Sequence, residues 1–126
     1  MEQFATYVGT LMQSRNQAHI YHLQSTSYAQ HIALQGYYEG IIDLIDGLVE
    51  SYQGKYGILR GYKMAGVVKE DDNPTMYFEG LSKFVEIILP SLPQDTYLLN
   101  QYDEVTTLIE STKSVSYTHL TLPTKA

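Results

Sequence analysis

The sequence predicts an all-α fold, four amphipathic helices in two hairpins joined by a longer connector. Three observations carry this. Apolar residues recur at three-and-four spacing in four separate stretches, capping residues and prolines fall between those stretches, and no segment alternates in the manner of a strand. At 126 residues the chain suits one domain, long enough to bury a core without metals or crosslinks as staples. Hydrophobic residues make up 44% and charged residues 17%, the balance of a globular chain and not of a disordered one.

The first helix is predicted from about Gln3 to Leu23, because Phe4, Tyr7, Val8, Leu11, Arg15, Ala18 and His22 share one helical face. Gly9 is a tolerable interruption. The joint Gln24-Ser25-Thr26-Ser27 is short, so the next helix should return antiparallel, with a hydroxyl capping its free amides. That second helix, about Ser27 to Gln53, has the strongest pattern: Leu34, Tyr37, Tyr38, Ile41, Leu44, Ile45, Leu48 and Val49 gather on one side. His31, Gln35, Glu39, Asp43, Asp46 and Glu50 gather on the other, and Gly54 supplies a stop.

Lys55 to Asn73 reads as a loop with room for a short helical turn, and a strand at Gly57 to Leu59 is its weaker alternative. Asn73-Pro74 is a cap followed by proline at the first helical position, so a third helix starts there. Its stripe is Phe78, Leu81, Val85 and Ile88, and Pro90 with Pro93 ends it. Asp95 can cap a fourth helix, in which Leu98, Tyr102, Val105 and Ile109 repeat the spacing until about Lys113. The bundle is therefore assigned to residues 1–114. Residues 115–126 are set apart as a tail: they are Thr-rich and carry no helical stripe. They also resemble an in-frame translation of a transposase adapter used in sequencing libraries, which implies that His119 is not a ligand and that the natural chain continues differently.

Composition narrows function. A net charge of −6 without a lysine-rich arm lacks the basic footprint of nonspecific nucleic-acid binding, so DNA binding is not expected. With no cysteine, any transition-metal site must use His and carboxylates. No apolar stretch approaches the roughly 20 residues that span a bilayer, and Met1 to Tyr7 lacks the features of a leader, so a cytoplasmic protein is expected. Twelve tyrosines against three phenylalanines suit half-buried helix edges, where each hydroxyl reaches a partner or water. Phosphate loops, Glu-x-x-His pairs, His-Glu-x-x-His and nucleophile elbows are absent from the sequence.

Gln17-Ala18-His19, then His31, then Asp46 and Glu50, resemble the first-hairpin signature of the Dps branch of the ferritin-like four-helix bundles, and the intervals match without a gap. The resemblance implies a ferritin-like antiparallel bundle with an iron-oxidising site shared between subunits. His19 and His31 would supply nitrogen from one subunit, and Asp46 with Glu50 oxygen from its neighbour. Iron or another divalent metal is the implied cofactor, and a homo-oligomer built through the first hairpin the implied partner. A second resemblance covers more of the chain. Ser27-Tyr28-Ala29-Gln30-His31, Tyr37-Tyr38-Glu39, Asp46, Glu50 and Tyr52-Gln53-Gly54 are similar to an uncharacterised group of small tailed-phage proteins, implying work in a host cytoplasm.

The residues themselves leave two readings open. Imidazole with carboxylate suits Fe(II), Zn(II) or Mn(II), and Asp46 with Glu50 at i, i+4 present oxygens on one side of a helix. The same acids also describe the solvated face of an amphipathic helix. Gln35, which stands where the mini-ferritins usually have an acid, favours a non-catalytic structural or interaction protein. His22, on the apolar centre line, reads as a hydrogen-bonded core residue or as a spare ligand in place of His19.

Overall fold

The computed structural model describes residues 1–64 and 73–121, with side chains through 116. Four α-helices run in chain order: α1 (Glu2–Gln24), α2 (Tyr28–Tyr56), α3 (Pro74–Ile88) and α4 (Thr96–Thr121), with a 3-10 turn at Leu89–Ser91. Among the described residues there is no strand, and the alternative at Gly57 to Leu59 does not form one.

The caps explain the starts. Ser27 accepts from the amide of Gln30 at 3.3 Å and Asn73 from that of Met76 at 2.9 Å, each satisfying an amide that the first helical turn leaves free. Proline at the first position of α3 follows the expected rule. Two expected ends are corrected. The stop of α2 is Gly57, whose φ of 89° only glycine adopts without strain, while Gly54 lies inside the helix. The fourth helix was expected to close near Lys113 but continues to Thr121. No glycine or proline interrupts it before Pro123, the unfavourable propensity of Thr and Ser is only tenths of a kcal/mol per residue, and Ser116 is buried.

The helices contact one another in a definite register. Phe4 at the start of α1 stacks on Tyr52 near the end of α2, with ring centroids 4.1 Å apart. On α2 and α4, Gly40 faces Leu108, Gly47 faces Gln101 and Lys55 meets Asp95, a descending register. On α3 and α4, Ser82 bonds Glu110. The third helix also touches α1, where Tyr21 meets Tyr77 edge-on at 6.0 Å. The helices thus follow one another around the core in the order α1, α2, α4, α3. The described residues after α2 pass over α1. Lys63 pairs with Glu2 at 3.0 Å, and a Cβ at Gly9 would lie 2.0 Å from the Lys63 carbonyl oxygen. Gly9 is therefore the close-approach position for the connector.

The predicted stripes form the core. Leu34, Tyr37, Ile41, Ile45 and Leu48 of α2 are buried with Phe78, Leu81 and Val85 of α3 and Leu98, Tyr102, Val105 and Ile109 of α4. The tyrosines depart from expectation. Tyr7, Tyr37, Tyr52 and Tyr102 are among the largest fully buried side chains, not edge residues. Tyr37 shares a 2.7 Å bond with Ser14 and Tyr102 donates to the Pro93 carbonyl at 2.9 Å, which lets a phenol sit inside.

Candidate functional site

The three-residue joint between α1 and α2 brings together histidines nine positions apart in sequence. The carbonyl of His31 accepts from Nδ1 of His22 at 2.8 Å, and the carbonyl of His22 accepts from Nδ1 of His31 at 3.0 Å. A carbonyl can only accept, so both rings carry their proton on Nδ1, and in the neutral form each keeps its lone pair on Nε2. The rings stack with centroids 3.6 Å apart at 24°. His19 stacks in turn on Tyr38 at 4.3 Å, and Tyr38 meets His22 edge-on. These contacts brace the hairpin tip and fix each imidazole in one orientation.

The geometry decides which of these rings could share an ion. Lone pairs lie in the ring plane, so two stacked imidazoles hold theirs in separate, nearly parallel planes and are poorly placed to converge on one cation. His22, 8% exposed, is thus the brace, and the half-buried His31 is the more accessible residue. His31 also has what a ligating histidine needs on its far side, an Nδ1–H held by a carbonyl.

Asp46 and Glu50 are exposed on α2, turned away from its buried stripe, with no ion pair among the described residues. They lie one turn apart, so both carboxylates reach the same side. Fifteen residues separate His31 from Asp46 on one straight helix, roughly 22 Å along the axis. A single chain does not bring the four expected ligands His19, His31, Asp46 and Glu50 together, and among the described residues no group of three or more His, Asp or Glu is placed to hold a metal ion. Gln35 is engaged with Glu39, its amide donating at 3.3 Å.

Sequence reasoning missed the reciprocal clasp. Its signal was present: one histidine in the last turn before a short joint and one in the first turn after it. Elsewhere, a cavity of about 500 Å³ opens between α3 and α4. Its Glu110 is already engaged by Ser82 and, at 3.0 Å, by Lys113, and these hold the carboxyl below its ordinary range.

The described residues form an all-helical architecture, and no described helix is long and apolar enough to cross a membrane. Residues 22–115 match a family of unknown function, DUF5856, and the chain belongs to that family. The match covers the clasp, Asp46 and Glu50 together and begins at His22, so His19 lies outside it. Comparison with the curated proteins and with the solved structures returns no match.

Proposed function

We propose that the protein is a ferritin-like bundle that pairs with a second copy of itself through the outer face of α2, and that this pairing forms a divalent-metal site. His31 would supply nitrogen from one subunit and Asp46 with Glu50 oxygen from the other, with His19 as a further candidate ligand. The observation that carries the proposal is His31 itself, its Nδ1 held by the His22 carbonyl and its Nε2 left for a ligand. Register supports it. If two α2 helices lie antiparallel about their midpoint near Tyr38 and Glu39, His31 of one falls opposite Asp46 of the other, an imidazole against a carboxylate. The helix order α1, α2, α4, α3, with a long stretch of chain between α2 and α3, supports the ferritin-like arrangement.

The donor set suits Fe(II) or Zn(II), and bound iron would supply the oxidation by oxygen or peroxide that the mini-ferritin resemblance implies. The chain's own part is to fix the imidazole by the clasp and to present two carboxylates one turn apart. The shared residues with small tailed-phage proteins support a phage-encoded protein at work in the host cytoplasm. A second reading, a structural or interaction protein that keeps only the bundle, is favoured by Gln35, a neutral amide already engaged with Glu39.

Calorimetric titration of the protein with Fe(II) and with Zn(II), paired with thermal melts, separates the two. Saturable binding and a raised Tm, both abolished in Asp46→Ala/Glu50→Ala, are expected for the metal site. No heat and no shift would leave the structural reading.

A further inference from the structure

The outer face of α2 is anionic from its middle onward. Glu39, Asp43, Asp46 and Glu50 are all exposed there, and steps of about 100° per residue set the four within an arc of roughly 60°. Between Tyr28 and Gln53 the helix has no lysine or arginine. The flanking α4 adds Asp103 and Glu104, which line an open groove together with Asp43. Basic side chains of α1, α2 and α4 do not compensate: Lys55 is bonded to Asp95 and Lys113 to Glu110, while Arg15 has its Nε buried. Among the described residues none of the four α2 acids has an ion pair, and Glu39 accepts from the neutral amide of Gln35.

Such a face opposes its own copy. In an antiparallel pairing about Tyr38 and Glu39, Glu39 of each subunit lies beside Glu39 of the other at the midpoint, with Asp43 one turn further out on either side. Like charges set against each other across an interface hinder association, and partial removal from water strengthens the effect. His31, opposite Asp46, brings in its neutral form a lone pair and no positive charge. A divalent cation held by His31 of one copy and Asp46 with Glu50 of the other would supply the missing positive charge at the same contact.

We propose that the divalent cation controls the pairing itself: without it the chain is monomeric at concentrations where, with it, two copies join through α2. This rests on the shared site proposed above. Linkage makes the effect reciprocal, so a cation that strengthens pairing is bound more tightly by the pair than by the single chain.

Sedimentation velocity of the full chain, in chelator and in Zn(II), tests this beside a Glu39→Gln/Asp43→Asn variant that keeps every proposed ligand. Zn(II) is expected to strengthen pairing of the parent by about tenfold or more. The variant should pair more strongly than the parent in chelator, because its repulsion is reduced with no metal present. A parent that is equally dimeric in chelator and in Zn(II), with the metal bound, overturns the cation control and leaves the shared site in place. A variant that pairs no better than the parent in chelator also overturns it. Zn(II) bound by a chain that stays monomeric, or no Zn(II) bound at all, overturns the shared site and this inference with it.

Discussion

At the scale of single residues, two glycines with the same helical setting have opposite roles. A Cβ at Gly9 would lie 2.0 Å from a backbone oxygen of Lys63, which cannot swing aside as a side chain can, whereas Gly36 has nothing within 4 Å. Gly9→Ala is therefore expected to cost about 1–3 kcal/mol through overpacking, and Gly36→Ala to gain about 0.5–1 kcal/mol through reduced freedom of the unfolded chain. Urea melts of the two variants beside the parent check both signs. A second pair tests the buried hydroxyls. Ser14→Ala leaves the Tyr37 hydroxyl buried without its partner, an expected loss of about 1–3 kcal/mol, while Tyr37→Phe leaves Ser14 still bonded to the Leu11 carbonyl at 2.6 Å and should cost less.

The sequence carried some of these details and not others. Ser27 and Asn73 were readable as caps because capping needs only a short side-chain acceptor next to the helix start. The role of Gly9 was not, because the chain that crosses it lies more than fifty residues away. The buried tyrosines were misplaced for a related reason. For Tyr37 and Tyr102 the hydroxyl goes inside to a partner, Ser14 or the Pro93 carbonyl, and those meetings are not visible in the helical spacing.

Between elements, the end of α2 is tied to the start of α4 by Asp95, which bonds Lys55 at 2.5 Å and the Tyr56 hydroxyl at 2.6 Å. Those bonds, Lys55 first and then Tyr56, hold the Asp95 carboxyl below its ordinary range. A lowered carboxylate stabilises the fold above its unfolded value near 3.8 and loses that contribution as pH falls through the folded value. Asp95→Asn should therefore lower the neutral-pH Tm and soften its decline in acid, a difference read from melts between neutrality and acid. The same contacts account for the missed stop of α2. Gly54 is an adequate end signal, but running on to Tyr56 places that hydroxyl and Lys55 on Asp95, and Gly57 offers an equally good glycine three residues later.

Burial acts in the opposite direction on the tyrosines. It pushes Tyr7 and Tyr37 well above the ordinary phenol value of 10, so the stability held by their neutral forms is present below that value and is lost as pH rises through the folded range. Alkaline titration should show tyrosinate absorbance for these residues rising together with loss of helical circular dichroism. Ionisation of all twelve tyrosines with the helices intact would contradict this.

For the molecule as a whole, four helices and most of the core were legible because each stripe repeats over several turns, the signal least disturbed by tertiary context. The candidate site was legible only in its residue types. Sequence spacing placed His31, Asp46 and Glu50 on the outer side of α2, and the structure keeps Asp46 and Glu50 exposed there. Spacing could not reveal that His22 and His31 clasp each other's carbonyls, since that depends on how a three-residue joint folds back.

The proposed site spans two copies of the chain, and subunit mixing tests that most directly. His31→Asn keeps a donor toward the His22 carbonyl but removes the free ring nitrogen, while Asp46→Ala/Glu50→Ala removes the oxygens. Each variant alone should bind no Zn(II). Unfolded and refolded together, they should recover about half the parental sites in the mixed dimers, because one of two symmetric sites is then complete. A mixture as inert as its components, or full binding by either variant alone, would contradict a site shared across the α2 faces.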